Sequence, residues 1–539
     1  MTTAGHNIGF TDGKELLDAM SGGQSCDWDI LIVGGGITGA GVLREAVRRG
    51  YRALLIEQND FAWGTSSRSS KMIHGGLRYL STGDLKLTRD SLGERERLLS
   101  EAPGLVDRLG YYFTLRKGIF PGRLAFTFIL KLYDFIAGIR DHKYINNQQL
   151  GKKFDGLSQA GLTGACYYTD AVTDDSRLVL RVLQESIELG GSALNHTRVE
   201  DLLIENGQVC GVVVFSANET QEPARQKIEL RAPIVVNATG AWADKLRNSV
   251  NPEKRVRPLR GSHLVFPRDK LPVSDVLAFI RKEDGRAAFI YPWEGATVVG
   301  TTDLDHGFDL NIEARITEDE VNYLLESINS QFPRAAISTG DVISTFSGVR
   351  PVIGSEKSKN PSKERRDHAV WSDKGLITVS GGKLTTFRLI ALDVLRMAKD
   401  SLPIPREFKS DCVFKTPVLK GKDICPKHPE WGERLLGRYG DLARSVVAST
   451  PPNEQGLIEK TLFTLSECRW AVRCEAVVHL DDLLLRRTRL GLLLTNGGES
   501  IFEDLKLIFM QELSWEESQW ESELERYRAI ISNYYSLPS

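Results

Sequence analysis

Three glycines and one acid set the first chemical expectation. Gly34-x-Gly36-x-x-Gly39 follows an apolar run at residues 29–33, and Glu57 closes a second apolar run at residues 53–56. Gly34 allows a tight turn, Gly36 lets backbone approach a pyrophosphate, and Gly39 lets a helix lie close on the strand. The N-terminus of that helix offers free N–H groups and a positive dipole end to phosphate. An acid about 20 residues beyond the glycines meets a ribose 2′-hydroxyl and disfavours a 2′-phosphate. A second group of residues suits an anion. Arg78, Arg350, Arg366 and Lys383 stand in glycine-flanked, otherwise weakly charged segments. Guanidinium and ammonium groups placed so fit a dianionic phosphate, with structural ion pairing as the alternative. His74 titrates near neutrality and suits proton transfer. Tyr79 and Thr302 offer hydroxyls for hydrogen bonds to a bound molecule.

The surrounding pattern supplies elements to hold these groups. After the glycines, Leu43, Ala46 and Val47 share one helical face and Gly50 ends the helix. A polar, glycine-rich stretch covers residues 64–79, and helical patterns run over residues 86–100 and 123–137. Asp174 or Asp175 caps a helix that Gly190 stops, with Leu178, Val182 and Ile187 on one side. Strands at residues 199–204 and 209–215 join through Asn206-Gly207, a strong hairpin signal. A strand at 234–236 feeds NATGAW, and from residue 261 HLVF, AAFIYPW and TVVGTTD predict an antiparallel sheet. Another strand, 376–379, ends in Gly381-Gly382 and opens a helix. Residues 34–39, 238–240 and 381–382 thus repeat a strand-to-glycine step, which suits one extended cofactor, as in flavoproteins of the two-dinucleotide-fold type. A helix N-terminus near residues 383–386 would stabilise negative charge on a reduced flavin. Beyond residue 405 the chain reads as helical, with amphipathic segments at 466–493 and 515–531.

The 539 residues allow a large core and several domains. With 69 basic against 71 acidic residues, the charge balance gives no sign of a nucleic-acid partner. Seven cysteines without a CxxC argue for free thiols and against a disulfide framework or a zinc site. Asp481-Asp482 and Arg486, Arg487 and Arg489 read as a solvated helix face, with no His or Cys at metal-ligand spacing. Residues 1–27 read as a disordered leader without a secretory or transit signal. No run approaches the roughly 20 apolar residues of a bilayer span. Residues 119–138 come nearest, and a buried helix is favoured there over an amphipathic helix in a membrane interface.

SSKMIHGGLRYL (69–80), NATGAW (237–242), GTTD (300–303), SGVRP (347–351), RRDH (365–368) and GGKLTTFR (381–388) occur in that order. Together they resemble the FAD-dependent, aerobic glycerol-3-phosphate dehydrogenases. Residues 467–491 resemble that family's helical C-terminal domain, so the likeness covers residues 28–491, with Phe387 where Tyr is common. It implies an α/β FAD-binding two-dinucleotide (Rossmann-like) fold, an antiparallel β-sheet substrate domain and an all-α C-terminal domain. The expected division is a leader (1–27), an FAD-binding portion (28–400) interleaved with a substrate portion (near 80–170 and 255–350), and a helical domain (405–539).

The resemblance implies oxidation of sn-glycerol 3-phosphate to dihydroxyacetone phosphate, hydride passing from C2 to flavin N5 and electrons then to a membrane quinone. It further implies a cytoplasmic protein, peripheral on the inner face of the membrane, with a homodimer among the possible assemblies. Substrate contacts are expected from Arg78, Tyr79, Thr302, Arg350, Arg366 and Lys383. Catalysis is expected from His74, Arg350 and Lys383, with the base unassigned among them and His74 alternatively a flavin contact. FAD contacts are expected from Gly34, Gly36, Thr38, Gly39 and Glu57. Further contacts are expected from Thr65, Ser66, Ser67, Ser70, His74, Gly75 and Gly76, and from Gly240, Gly382, Leu384 and Thr385. No metal is expected. Rival readings are an oxidase of the same fold, acting on glycerol phosphate, an amine or an amino acid with oxygen, and a flavin-binding sensor without turnover.

Overall fold

The computed structural model describes residues 28–77, 80, 84–138, 140–216, 227–354, 367–405, 411–415 and 417–538. The expected leader and the candidates Arg78, Tyr79 and Arg366 lie outside these residues. Strand Ile30–Val33 pairs in parallel with Ala53–Ile56 on one side and Ile234–Asn237 on the other. The six-stranded sheet is completed by Ser192–Leu194, Leu376–Gly381 and, antiparallel at the edge, His368–Asp373. Successive residues of a strand point to opposite faces, and the first strand uses both. Ile30 and Ile32 pack with helices Ile37–Arg48, Asp175–Ile187 and Phe387–Ala398. Leu31 and Val33 pack against a three-stranded sheet formed by Thr197–Glu205, Gln208–Ser216 and Ile228–Arg231. The first two of these strands form the hairpin the sequence predicts, with Asn206 and Gly207 both at positive φ (51° and 76°).

A ten-stranded, mainly antiparallel sheet lies beside this layer. Its long strands Val256–Pro267 and Ser344–Ile353 pair over ten residues and reach the cofactor side of the molecule. Helix Glu318–Gln331 covers one face of the sheet. Helix Arg123–Ala137 and the C-terminal helices cover the other.

Two expectations need correction. Residues 119–138 are neither a wholly buried helix nor a polar surface. Phe126, Leu130 and Tyr133 of helix Arg123–Ala137 are buried, whereas Leu124, Phe128 and Phe135 are 70–86% exposed along the opposite side. Residues 466–493 are not one amphipathic helix with a solvated charged face. The helix stops at Cys474 and resumes at Leu480, followed by a wider turn over Leu483–Arg487. It breaks because Glu475 turns inward to Arg177 (2.6 Å) and Arg487 draws on the carbonyls of Glu475 and Ala476.

Asp481, Asp482, Arg486, Arg487 and Arg489 are all buried. They join the C-terminal helices to the α/β portion through a network of opposite charges. Arg487 Nη2 donates to Asp60 Oδ1 (2.8 Å), Arg489 to Asp175 (2.8 Å), and Arg438 to Asp174 (3.0 Å). Burial opposes the charge on Asp174, but Arg489, Arg438 and Lys71 outweigh it and hold its carboxyl down at about 2. A histidine does stand beside the acids, though from far away in the chain: His196 Nε2 lies 3.1 Å from Asp482 Oδ2. Asp60, His196 and Asp482 bring ligand-type atoms within 4.8 Å of one another. Arg486 and Arg487 already supply positive charge to these acids, so the cluster carries its own cations.

Candidate active site

The strand-to-glycine steps converge on one cavity of about 430 Å³. Gly34 turns at φ 114°, and a Cβ at Gly39 would lie 1.9 Å from the Gly34 carbonyl oxygen, so the helix abuts the turn as the pattern requires. Ser66 Oγ accepts from the N–H of Ile37 (2.9 Å), tying the polar stretch to the helix N-terminus. The Glu57 carboxylate accepts from the N–H groups of Gly35 (2.7 Å) and Asn59 (2.9 Å). Burial pushes this carboxyl upward against the pull of those two bonds. Gly240, at φ 61°, and Gly382, at φ 80°, bring the second and third steps to the same space.

Cations enter from two directions. Lys383 closes strand Leu376–Gly381 and precedes a short turn, Leu384–Thr386, that leads into helix Phe387–Ala398. Its Nζ donates to Ser91 Oγ (2.8 Å) of helix Leu85–Glu101. Arg350 comes from strand Ser344–Ile353, with Nη2 3.9 Å from Asp303 Oδ1. Both residues border the cavity together with Gly34, Gly36, Thr38, Glu57, Thr65 and Ser66. Gly240, Gly382 and Leu384 complete the anticipated residues found on this wall.

The other candidates stand behind the wall. The His74 N–H donates to Thr385 Oγ1 (3.2 Å), stitching the segment after the polar stretch to the turn at 384–386. Gly75 donates its N–H to Asp170 (3.1 Å), and a Cβ there would lie 2.2 Å from the Tyr133 hydroxyl. Gly76 takes φ 78°. Ser67 Oγ turns to the Gly64 carbonyl (3.4 Å), and Ser70 Oγ lies 2.9 Å from His263 Nε2. Thr302 is buried, donating to Glu320 (2.7 Å) and accepting from the Ser262 N–H (2.9 Å).

Sequence reasoning passed over His263. Its ring stacks on Phe346 (4.5 Å, 10°), and its Nδ1 is buried without a hydrogen-bond partner among the described residues. Burial, reinforced by Lys71 and Arg350, pushes its pKa well down, so the imidazole is neutral at pH 7. A histidine opening the apolar run at residues 264–266 was the available signal. Arg198, Asp201, Lys245 and Asn248 on the cavity wall were also missed, because the hairpin and the stretch after NATGAW carry no motif.

Residues 29–388 match the family described as FAD dependent oxidoreductase, and residues 419–520 match the C-terminal domain of alpha-glycerophosphate oxidase. An aerobic glycerol-3-phosphate dehydrogenase of Staphylococcus haemolyticus is 34% identical over 496 residues, covering 86% of this chain and 87% of the relative. The chain belongs to the FAD-dependent glycerol-3-phosphate dehydrogenase family. A glycerol-3-phosphate dehydrogenase of Mycobacterium leprae, another member, is 32% identical over 94% of this chain and 88% of its own length. Among solved structures, the glycerol-3-phosphate dehydrogenase of Bacillus halodurans complexed with FAD superposes with a TM-score of 0.75 at 25% identity, covering 98% of this chain and 99% of that one. The cofactor of this family member is FAD, and the residues fit it. The glycine turn and helix N-terminus suit its pyrophosphate, Glu57 suits a ribose hydroxyl, and the cavity gathers all three glycine steps.

Proposed function

We propose that this chain oxidises sn-glycerol 3-phosphate to dihydroxyacetone phosphate. The observation that carries the reading is the placement of Arg350 and Lys383 on the wall of the same cavity as the glycine turn and Glu57. Bound FAD supplies the two-electron acceptor for the hydride leaving C2. The protein's own part is to hold the substrate and take its proton. Arg350 offers a planar fork to the phosphate, and Lys383 a compact charge to an oxygen becoming alkoxide. The proton goes to an imidazole, with His74 and His263 the two candidates. Ser70 links His263 to the polar stretch, while burial, Lys71 and Arg350 hold its pKa well down and so weaken it as an acceptor.

The electron acceptor in this reading is a quinone, reached at a membrane surface. No helix of the described residues is long and apolar enough to cross a membrane. The exposed Leu124, Phe128 and Phe135, joined by Phe120 at 80% exposure, suit shallow insertion instead. Arg123 and Lys131 are exposed on the same helix and suit anionic headgroups.

Anaerobic addition of glycerol 3-phosphate to the flavin-loaded protein tests the proposal. Bleaching of the visible flavin band is expected; persistent colour would refute it. The match at residues 419–520 to a domain described from an oxidase keeps oxygen as the second acceptor. Stoichiometric hydrogen peroxide during aerobic turnover would favour it over the quinone.

A further inference from the structure

Gly261 lies within the twelve-residue strand Val256–Pro267, and it is not among the glycines with positive φ. A glycine inside a strand weakens it and offers nothing to pack, so one without a special backbone conformation calls for a steric reason. The reason stands on the neighbouring strand. Arg350 pairs with Leu259 in the antiparallel register, which puts Gly261 at the diagonal position on the same face. A Cβ at Gly261 would lie 2.6 Å from Arg350 Nη2, 2.6 Å from Thr301 Oγ1 and 3.0 Å from the Thr302 carbonyl oxygen. The Arg350 guanidinium therefore rests in the notch left by the missing side chain, with Asp303 3.9 Å from the same nitrogen.

The crowding atoms differ in how readily they yield. The Thr302 oxygen belongs to the backbone, whereas Arg350 Nη2 is the far end of a flexible side chain. A methyl group placed at 261 would push both on the guanidinium and on the Thr301 hydroxyl at 2.6 Å, and of the two the long arginine side chain has the more freedom to move. Such a move displaces the cation that borders the cavity.

We infer that Gly261 is a positioning residue for the substrate's phosphate, acting by seating the Arg350 guanidinium in the cavity wall. The inference rests on the phosphate-binding role given to Arg350 above. Arginine binds phosphate through a fork of fixed geometry, so a displaced fork loses a bidentate contact that a point charge would keep.

The test is a double-mutant cycle on the FAD-loaded enzyme, with KM for glycerol 3-phosphate, kcat, the Ki of inorganic phosphate as a competitor, and bound FAD as readouts. Gly261→Ala is expected to raise KM and Ki by about tenfold or more, with a smaller change in kcat. FAD content and thermal transition should match the parent. In an Arg350→Ala background the same substitution should add less than about twofold, because the group it displaces is gone. If Gly261→Ala leaves KM and Ki within twofold while Arg350→Ala raises them, the inference is wrong and the phosphate reading stands. Equal effects of Gly261→Ala in both backgrounds would also overturn it, as would loss of FAD or of thermal stability accounting for the change. If Arg350→Ala itself leaves both constants unchanged, the phosphate reading fails and takes the inference with it.

Discussion

Asp60 is the sharpest place to test how the C-terminal helices are held. It is fully buried, and its Oδ1 accepts from Arg487 Nη2 (2.8 Å) and Asn195 Nδ2 (3.0 Å). Its Oδ2 faces both Arg486 and Arg487. Asp60→Asn keeps the shape but removes the charge and sets an N–H₂ donor against guanidinium donors. Breaking a buried pair by deleting one partner costs about 3–5 kcal/mol, because the other charge is left uncompensated. For a cooperative unit this large, that corresponds to a fall in Tm of about 3–4 °C. Scanning calorimetry of the FAD-loaded protein at a fixed scan rate measures it, since unfolding of a chain this size need not be reversible. Asp269→Asn is the control, removing an exposed partner of Lys460 and expected to leave Tm unmoved. Equal shifts in the two variants would refute the reasoning, for burial would then not set the cost.

Lys383→Ala should slow anaerobic flavin reduction by about 100-fold, a loss typical of removing a transition-state donor, and stopped-flow absorbance checks it. His263, with its pKa held down by burial and by Lys71 and Arg350, stays neutral when the unfolded chain takes up a proton near pH 6.5. Folding stability should therefore fall as pH drops below about 6.5, and His263→Gln should remove that part of the slope in Tm measured across the acid range. Phe128→Ser combined with Phe135→Ser should abolish co-sedimentation with anionic lipid vesicles while leaving reduction by glycerol 3-phosphate intact. Undiminished co-sedimentation would show that another surface meets lipid.

The parts of the fold and site that follow from neighbours in sequence were legible. The turn at Gly34, the packing role of Gly39, the position of Glu57 on the cavity wall and the hairpin at Asn206-Gly207 all follow from short patterns with a steric or hydrogen-bonding cause. So does the turn that carries Lys383 into the helix Phe387–Ala398. What escaped depends on partners distant in the chain. Charges at 481–489 look solvated because opposite charges follow at helical spacing, yet Asp60, Asp174 and Asp175 take them inside. The bond from the Thr302 hydroxyl to Glu320 is likewise invisible in the GTTD motif, because its partner lies on a helix further along the chain. The exposed aromatic side of helix Arg123–Ala137 could not be told from its buried side, since both are apolar.

The cavity wall takes residues from Val33 at one end of the α/β portion and Leu384 near the other. A molecule lodged there acts as a rivet between segments that meet only in the folded chain. When its free concentration is a hundredfold above its Kd, it withholds about 2.7 kcal/mol from any opening of that seam. By this linkage, a newly made polypeptide that has taken up the flavin nucleotide opens less often and should resist proteolysis for longer than one that has not.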